Sequence, residues 1–286
     1  MTGRRFTSVA LARFRSTPQL VAIILAVLVV VIAATVSALL KPGSDGAAAP
    51  ADDAKGRSAA PPPGRTAPNR PPTPTHGHIP AGPPAVPDSI QHQAESPGKY
   101  VNITIDDGPD PEWTPKVLQV LKKHHVHAVF CMIGPQAQAN PALVKRVVGE
   151  GHRLCDHTVH HNTAMDKKPM AYQTSEILDA WNMIQHAAGG ARVYYYRAPG
   201  GAFTPPSRAV AAQHGMRPLG WNIDTKDFDR PGVGIILHTM KHEIHNGPTI
   251  LFHDGGGNRA QTVAALDQAL TWLKQQGYGF SFPKVD

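Results

Sequence analysis

The chain has 286 residues and a formal net charge of +7, enough length for one large domain with appendages or for two small domains. The positive charge is concentrated at the amino end, where residues 1–17 contain four arginines and no acidic residue. Residues 98–286 contain 19 basic and 16 acidic residues, so they lack the basic stripe of nucleic-acid-binding proteins, and no nucleic-acid partner is expected.

The first predicted element is an apolar segment at residues 20–40, which contains no charged residue in 21 positions. This length suffices to cross a bilayer as a helix. Four arginines precede the segment and only Lys41 follows it closely, which places the preceding tail (1–19) in the cytoplasm. The sequence therefore predicts a single-pass protein of the cell membrane with an extracellular remainder. A cleaved signal peptide is the alternative, with residues 36–38 as the cleavage site, and the remainder would then be secreted.

A Pro/Ala/Gly-rich stretch follows, from residue 41 to residue 97, and it contains 14 of the 28 prolines. Its few apolar side chains cannot offset the entropy that folding would cost. The sequence therefore predicts a disordered, partly extended linker. His92 is interpreted as a solvated residue of this linker.

Residues 98–286 alternate between short apolar or β-branched runs and amphipathic segments. Strands are predicted at 100–105, 127–133, 153–156, 194–198, 217–223, 248–252 and 278–282. Repeated strand–helix units predict an α/β domain with a parallel sheet, either closed as a barrel or doubly wound. In both architectures, functional sites lie at the carboxyl ends of the strands.

Ionisable residues lie at the carboxyl end of five of the predicted strands or shortly after it. They are Asp106, Asp107, Asp156, His157, Arg197, Asp224, Asp227, His253 and Asp254. Because the carboxyl ends of parallel strands share one rim, we expect a functional site there.

Two histidines in this set have metal-ligand spacing. His157 and His161 are four residues apart, and on a helical turn both imidazoles would lie on one face. With a carboxylate they would form a two-His, one-acid set that suits catalytic zinc, although the same set can also hold non-haem iron. Of the adjacent acids Asp106 and Asp107, one could bind the metal and the other could accept a proton from water.

Other residues of the set admit two interpretations each. Arg197 could position a catalytic carboxylate or form a structural ion pair. His253 is placed to act as a general acid, or it is a buried, hydrogen-bonded histidine. Cys131 and Cys155 lie in consecutive predicted strands, and both a structural disulfide and two buried thiols remain open.

Five motifs, in order along the chain, resemble those of the polysaccharide deacetylases of carbohydrate esterase family 4, which have the nodulation-protein-like deacetylase domain. The motifs are Thr104–Pro109, His157–His161, Arg197–Gly201, Asp224–Phe228 and Leu251–Asp254. Ile105 replaces the usual Phe, Gly200 replaces an aromatic residue of many members, and Phe228 replaces the common Trp. The resemblance covers roughly residues 98–286.

This resemblance implies a distorted (β/α)7-type barrel and a role for each matching residue. A divalent metal, most often zinc and in some members cobalt, would be bound by Asp107, His157 and His161. The catalytic groups would be the general base Asp106, its orienting partner Arg197, the general acid His253, and Asp227, which tunes His253. The substrate-binding groups would be Leu251 at the acetyl methyl, the Gly200 backbone N–H at the oxyanion, and Phe228 in the groove wall.

The expected activity is metal-dependent hydrolysis of N-acetyl groups on an aminosugar polymer. The predicted export makes the cell-wall polysaccharide, peptidoglycan, the expected partner of a monomeric catalytic domain. The alternatives are an O-acetyl xylan esterase or a chitin-oligosaccharide deacetylase of the same family, and a non-catalytic wall-binding module.

Overall fold

The structure, a computed structural model, describes residues 83–286. Within them, strands and helices alternate along the chain. The strands are β1 (Tyr100–Asp106), β2 (Val129–Met132), β3 (Arg153–Asp156), β4 (Val193–Tyr196), β5 (Arg217–Pro218), β6 (Ile223–Asp224), β7 (Thr249–His253) and β8 (Gly279–Phe280). The α-helices are α1 (Trp113–Lys123), α2 (Gly134–Ala139), α3 (Pro141–Gly149), α4 (Met170–Ala187), α5 (Pro205–Gln213), α6 (Val233–Glu243) and α7 (Ala260–Gln275).

The strands form one parallel sheet in the order β5-β4-β3-β2-β1-β7-β6, with β8 beside β1. The two edge strands are β5 and β6, and only residues 219–222 connect them. A connection this short reaches roughly 17 Å at most, so the sheet must curl until its edges are close. The predicted barrel is therefore a curled parallel sheet, and within the described residues β5 and β6 do not pair with each other.

The predicted strand 217–223 is wrong as a single element, because the chain changes its neighbour within it. Leu219 N–H donates to the carbonyl of Tyr196 on β4, whereas Asn222 N–H donates to that of Thr249 on β7. The two halves therefore lie at opposite edges of the sheet. Periodicity along the chain does not report which strand is the neighbour.

Side chains of β1 alternate between an apolar layer outside the curled sheet and polar groups inside it. Ile103 and Ile105 are buried in the main core cluster, which includes Leu118 of α1 and Leu270 of α7. Successive strand residues point to opposite faces, so the residues between these isoleucines point inside the curled sheet. There, buried polar groups must find partners, and Thr104 Oγ1 donates to the carbonyl of Ile250 at 2.8 Å.

Residues near the start of the described range belong to the folded domain, although the sequence assigns them to the linker. Gln91 N–H donates to the carbonyl of Pro218, and Glu95 N–H donates to that of Phe282. The carbonyl of His92 accepts from Thr249 Oγ1 at 2.7 Å, and burial lowers the pKa of the His92 imidazole. His92 is therefore not a solvated linker residue. Backbone hydrogen bonds with strand ends hold this segment, which needs few apolar side chains for that purpose.

The two cysteines form a disulfide inside the curled sheet. Cys131 of β2 and Cys155 of β3 are register partners, and their Cα atoms are 4.1 Å apart. Both belong to a small buried cluster with Val129, Tyr195 and Leu219. The structure thus decides between the two states that the sequence leaves open.

Replacing both cysteines with alanine should lower the free energy of unfolding. The disulfide closes a loop with a sequence separation of 24 residues. Loss of that constraint on the unfolded chain costs about 3.5 kcal/mol in the chain-entropy description. Urea denaturation of the variant and of the wild-type protein, with and without reductant, measures the change, and equal stability of all samples would contradict the expectation.

Within residues 83–286, no helix is both long and apolar enough to cross a membrane. The predicted tail, the predicted span at 20–40 and most of the predicted linker lie outside the described residues. These three assignments stay predictions.

Candidate active site

The adjacent acids Asp106 and Asp107 reach the same site because the backbone at Asp107 is left-handed. Asp106 ends β1 and points inside the sheet, so a regular strand would direct Asp107 to the opposite face. Asp107 instead has a positive φ of 78°, a left-handed conformation that costs a non-glycine residue of order 1–3 kcal/mol. Its Oδ1 comes to 3.5 Å from His157 Nε2, and Oδ2 of Asp106 lies 3.6 Å from the same nitrogen.

His157 and His161 converge through a loop, and the predicted helical turn is wrong. The segment is irregular, and both Thr158 and His161 have left-handed backbones, with φ of 68° and 50°. His160, between the ligands, is directed away and contacts Glu176 of α4. The spacing of four residues therefore brings the imidazoles together by a reversal of the chain.

The side chains of Asp107, His157 and His161 fit a divalent cation. Their candidate ligand atoms all lie within 4.8 Å of one another. Two atoms bound to one zinc ion at 2.0–2.1 Å in tetrahedral geometry are roughly 3.3 Å apart. Asp107 Oδ1 is 3.2 Å from His161 Nε2 and 3.5 Å from His157 Nε2, close to that spacing.

Two further observations support a cation at this position. Asp107 Oδ1 is buried and, among the described residues, makes no hydrogen bond of good geometry, which is costly unless a cation compensates it. His157 Nδ1 donates to the carbonyl of Arg197 at 2.8 Å, so Nε2 keeps its lone pair for a metal. Burial alone would raise the pKa of Asp107, but the close contact with the His161 imidazole and the nearby imidazole charges hold it well below its usual range.

Arg197 fixes one oxygen of Asp106. Its side chain is fully buried, and Nη1 donates to Asp106 Oδ1 at 2.6 Å and to Thr104 Oγ1 at 3.0 Å. Nε and Nη2 donate to the carbonyls of Leu219 and Gly220. The guanidinium therefore has a partner on each nitrogen, and Oδ2 of Asp106 stays available on the side that faces His157.

His253 and Asp227 form a buried pair on the other side of the cavity. Asp227 Oδ1 accepts from His253 Nδ1 at 2.7 Å and from Thr225, and Oδ2 accepts from the His253 backbone and Thr262. Burial would lower the pKa of His253, but the hydrogen bond and the charge of Asp227, with the charges of Asp106 and Asp107, raise it to about 9. The imidazole is therefore protonated at neutral pH and can act as an acid.

These groups meet in one cavity of about 420 Å³, a size typical of ligand-binding sites. It contains both proposed acid–base groups, the three candidate metal ligands and the three predicted substrate-binding residues. The cavity is lined by Asp106, Asp107, His157, His161, Thr163, Gly200, Trp221, Asp224, Lys226, Phe228, Leu251 and His253.

Two acids at the predicted rim are structural and do not line this cavity. Asp156 is fully buried, its Oδ1 accepts from Thr158 N–H, and burial raises the pKa of its carboxyl. Asp254 is also fully buried, its Oδ2 accepts from Thr114 Oγ1 at 2.6 Å, and burial raises its pKa to about 7. A strand-end position is therefore not sufficient to place an acid in the site.

The cavity also contains residues to which the sequence assigns no role. Trp221 lies in the connection between β5 and β6, and a Cβ on Gly201 would be 3.3 Å from its ring. Lys226 has a left-handed backbone with φ of 55°, and its Nζ lies 2.6 Å from Asp224 Oδ2. Trp221 belongs to the wrongly predicted strand, between Leu219, which bonds to β4, and Asn222, which bonds to β7, and it lines the cavity.

Comparison with known proteins places these features in a family. Residues 93–219 match the family model described as polysaccharide deacetylase. The chain is 38% identical over 184 residues to a peptidoglycan-N-acetylglucosamine deacetylase of Bacillus cereus. The alignment covers 64% of this chain and 85% of the relative. It is 34% identical over 190 residues to a chitooligosaccharide deacetylase of Sinorhizobium fredii, and this alignment covers 62% of this chain and 87% of the relative.

Solved structures share the fold. The crystal structure of a peptidoglycan N-acetylglucosamine deacetylase has a TM-score of 0.62 at 30% identity, over 67% of this chain and 89% of that one. A pseudoenzyme of carbohydrate esterase family 4 from Bacillus anthracis also has a TM-score of 0.62, at 27% identity, over 68% of this chain and 67% of that one. Since the fold also occurs in an inactive member, the acid–base groups of each chain have to be examined individually.

Family membership rests both on the sequence identity and on the share of the relative that the alignment covers. The identity to the Bacillus cereus relative runs over 85% of that protein. The first three of the five motifs lie in order within residues 93–219, which match the family model. The chain therefore belongs to the polysaccharide deacetylase family of hydrolases.

Proposed function

We propose that this enzyme hydrolyses the N-acetyl groups of N-acetylglucosamine residues in peptidoglycan and releases acetate. One observation carries the proposal. Asp106 and His253, the candidate base and acid, are register partners on β1 and β7 and line the same cavity as the candidate metal ligands. The 38% identity to a peptidoglycan-N-acetylglucosamine deacetylase supports the choice of substrate.

In the proposed reaction, water attacks the acetyl carbonyl carbon, the amide C–N bond breaks, and acetate and a free amine are formed. Asp107, His157 and His161 would hold a divalent cation, for which we propose zinc, with cobalt as a substitute. When bound, such a cation supplies Lewis-acid chemistry, which lowers the pKa of water and polarises a carbonyl.

Proton transfer falls to residues of the chain. Asp106 accepts the proton of the attacking water at Oδ2, because Arg197 occupies Oδ1. His253 donates its proton to the departing nitrogen, since an amide anion is too poor a leaving group. Asp227 holds Nδ1 of His253 and thereby directs Nε2 into the cavity.

Three further residues are proposed to bind the sugar. Leu251 lines the cavity beside His253 and would contact the acetyl methyl. Gly200, with a left-handed φ of 60°, would offer its backbone N–H to the oxyanion, a role that needs no side chain. The ring of Phe228 lies 5.2 Å from that of His253 and is 37% exposed, so it is available for stacking against a sugar.

The proposed substrate also agrees with the predicted membrane segment at residues 20–40. An extracellular catalytic domain on a tether would meet the cell's own wall polymer. We propose this location and a monomeric catalytic domain on those grounds.

A second candidate substrate is a soluble chitin oligosaccharide. The 34% identity to a chitooligosaccharide deacetylase supports it, and the reaction would use the same residues in the same roles.

A substrate panel tests the proposal and separates the two candidates. The purified protein, supplied with zinc, is incubated with peptidoglycan, N-acetylchitohexaose and acetylated xylan, and both acetate and free amines are measured. We expect acetate and an equal number of new amines from peptidoglycan. Amines from the chitin oligomer alone would favour the second candidate, acetate without amines would indicate an esterase, and no product would contradict the catalytic assignment.

Replacing Asp227 with Asn should move the alkaline limit of activity to lower pH. His253 must be protonated to act as the acid, so activity is present below its pKa and is lost as the pH rises through about 9. The Asp227→Asn change removes the charge and weakens the hydrogen bond that raise this pKa, and the limit should fall by at least about one unit. The measurement is kcat/KM as a function of pH, which reports the pKa values of the free enzyme.

Asp229→Asn is the matched control, because Asp229 lies in the same short helical turn (Asp227–Asp229) and is exposed. Its pH profile should equal that of the wild-type protein. An unchanged profile for a folded Asp227→Asn variant would contradict the role of Asp227.

A further inference from the structure

Three exposed histidines form a continuous patch on the surface of α6 and the turn that follows it. His238 and His242 are four residues apart on α6, and His245 lies in the turn Ile244–Asn246. The rings of His238 and His242 are nearly parallel, 9° apart, with centroids 6.1 Å from each other. The ring of His245 lies 6.2 Å from that of His242.

The helix is held firmly behind this patch. Ile236 and Met240, on the opposite face of α6, are fully buried. Glu243 Oε2 accepts from Asp224 N–H at 3.0 Å, which joins the end of α6 to β6. The backbone that presents His238 and His242 is therefore fixed, and only their side chains need to move.

The patch offers imidazole nitrogens, and the two charged residues of α6 next to it, Lys241 and Glu243, contact other groups. Within residues 83–286, no hydrogen bond or ion pair engages the rings of the three histidines. The carboxylate of Glu243 faces the sheet, and Lys241, between the two helical histidines, has its Nζ 5.3 Å from the Trp272 ring. Neutral nitrogen ligands select divalent transition metals over calcium and magnesium, which prefer oxygen.

We propose that His238, His242 and His245 form a second transition-metal site, separate from the catalytic one. Histidines at i and i+4 of a helix lie on one face and can bind one ion together. Two imidazoles on one tetrahedral ion have ring centroids roughly 5 Å apart, so the rings of His238 and His242 must approach by about 1 Å. All three histidines are exposed, and rotation about their side-chain bonds would bring their nitrogens together.

The position of the patch excludes the ion from the hydrolytic reaction. The turn that carries His245 leads into the amino end of β7 at Thr249, whereas His253 is at the carboxyl end of that strand. The two sites therefore lie at opposite ends of β7. The second site does not depend on the proposed substrate.

Calorimetric titration of the full, chelator-stripped chain with Zn²⁺ tests the proposal. We expect His238→Gln/His242→Gln to bind one equivalent of Zn²⁺ fewer than the wild-type protein. The matched control His125→Gln/His186→Gln removes two exposed histidines that are not a spaced pair, and it should keep the wild-type stoichiometry. His245→Gln should weaken the same equivalent at least threefold, and an unchanged affinity would remove His245 from the site.

Hydrolysis at saturating Zn²⁺ shows which ion has been lost. The His238→Gln/His242→Gln variant should keep wild-type kcat, because its catalytic ligands are intact. Equal stoichiometry in this variant and the wild-type protein would overturn the proposal. An equal loss in the control variant, or a loss of kcat together with the equivalent, would also overturn it.

Discussion

Replacing Asp106 with Asn should lower kcat of deacetylation by between about 10²-fold and 10⁴-fold, the usual contribution of a general base. Asparagine keeps the shape of the side chain and can still accept from Arg197 Nη1, which holds Oδ1 at 2.6 Å. The amide nitrogen that takes the place of Oδ2 cannot accept a proton from water. KM should change little, because the proposed substrate-binding groups Leu251, Gly200 and Phe228 are untouched. Steady-state hydrolysis of the best substrate from the panel measures the effect.

The fold and the metal site need to be checked separately in this variant. Arg197 is fully buried, and a buried cation without a charged partner destabilises a protein. A thermal denaturation curve therefore accompanies the kinetics, and Zn²⁺ should still bind, since Asp107, His157 and His161 are intact. A folded, zinc-loaded Asp106→Asn variant with unchanged turnover would show that the mechanism is wrong and would revive the binding-module interpretation.

Replacing His161 with Gln should abolish activity through loss of the catalytic metal. The imidazole Nε2 of His161 lies 3.2 Å from Asp107 Oδ1, at the spacing of two ligands on one ion. Loss of a direct ligand should reduce affinity at least as much as loss of an outer partner, which costs about 10-fold to 100-fold. In the wild-type protein, chelation should stop hydrolysis and Zn²⁺ or Co²⁺ should restore it. In His161→Gln, stoichiometric Zn²⁺ or Co²⁺ should not restore hydrolysis.

The motif His157–His161 also contains the control residue for the His161→Gln variant. His160→Gln removes an imidazole next to His161, but this ring is directed away from the cavity and contacts Glu176. The variant should bind the catalytic Zn²⁺ with wild-type affinity and keep most of its activity. Were His160→Gln to lose the metal while His161→Gln retained it, the ligand set would have to be revised.

The sequence by itself determined the residue types of the site and the sheet edge on which they lie. Asp106, Asp107, His157, Arg197 and His253 each lie at the end of a recognisable strand or directly after it. In a parallel sheet the carboxyl ends of the strands meet, so this inference needs only local periodicity and chain direction. The family resemblance then added a role for each residue, and these roles remain to be tested by the variants described above.

Tertiary structure decided how those side chains converge. Asp107, Thr158 and His161 adopt left-handed backbones that no residue type among them requires, since glycine is the residue that populates that region freely. Contacts with the rest of the domain stabilise these conformations. The helical turn predicted for His157–His161 is wrong for this reason, although the two imidazoles do lie together.

Which strands and segments pair with each other also could not be predicted from the sequence. The change of neighbour between Leu219 and Asn222, the attachment of residues around Gln91 to strand ends, and the register of Cys131 with Cys155 are all contacts between distant parts of the chain. Local propensity reports how one segment prefers to fold, whereas backbone hydrogen bonds between segments depend on which segments are adjacent. The sequence therefore determined the chemistry available at the rim, and packing of the curled sheet decided which of those groups face one cavity.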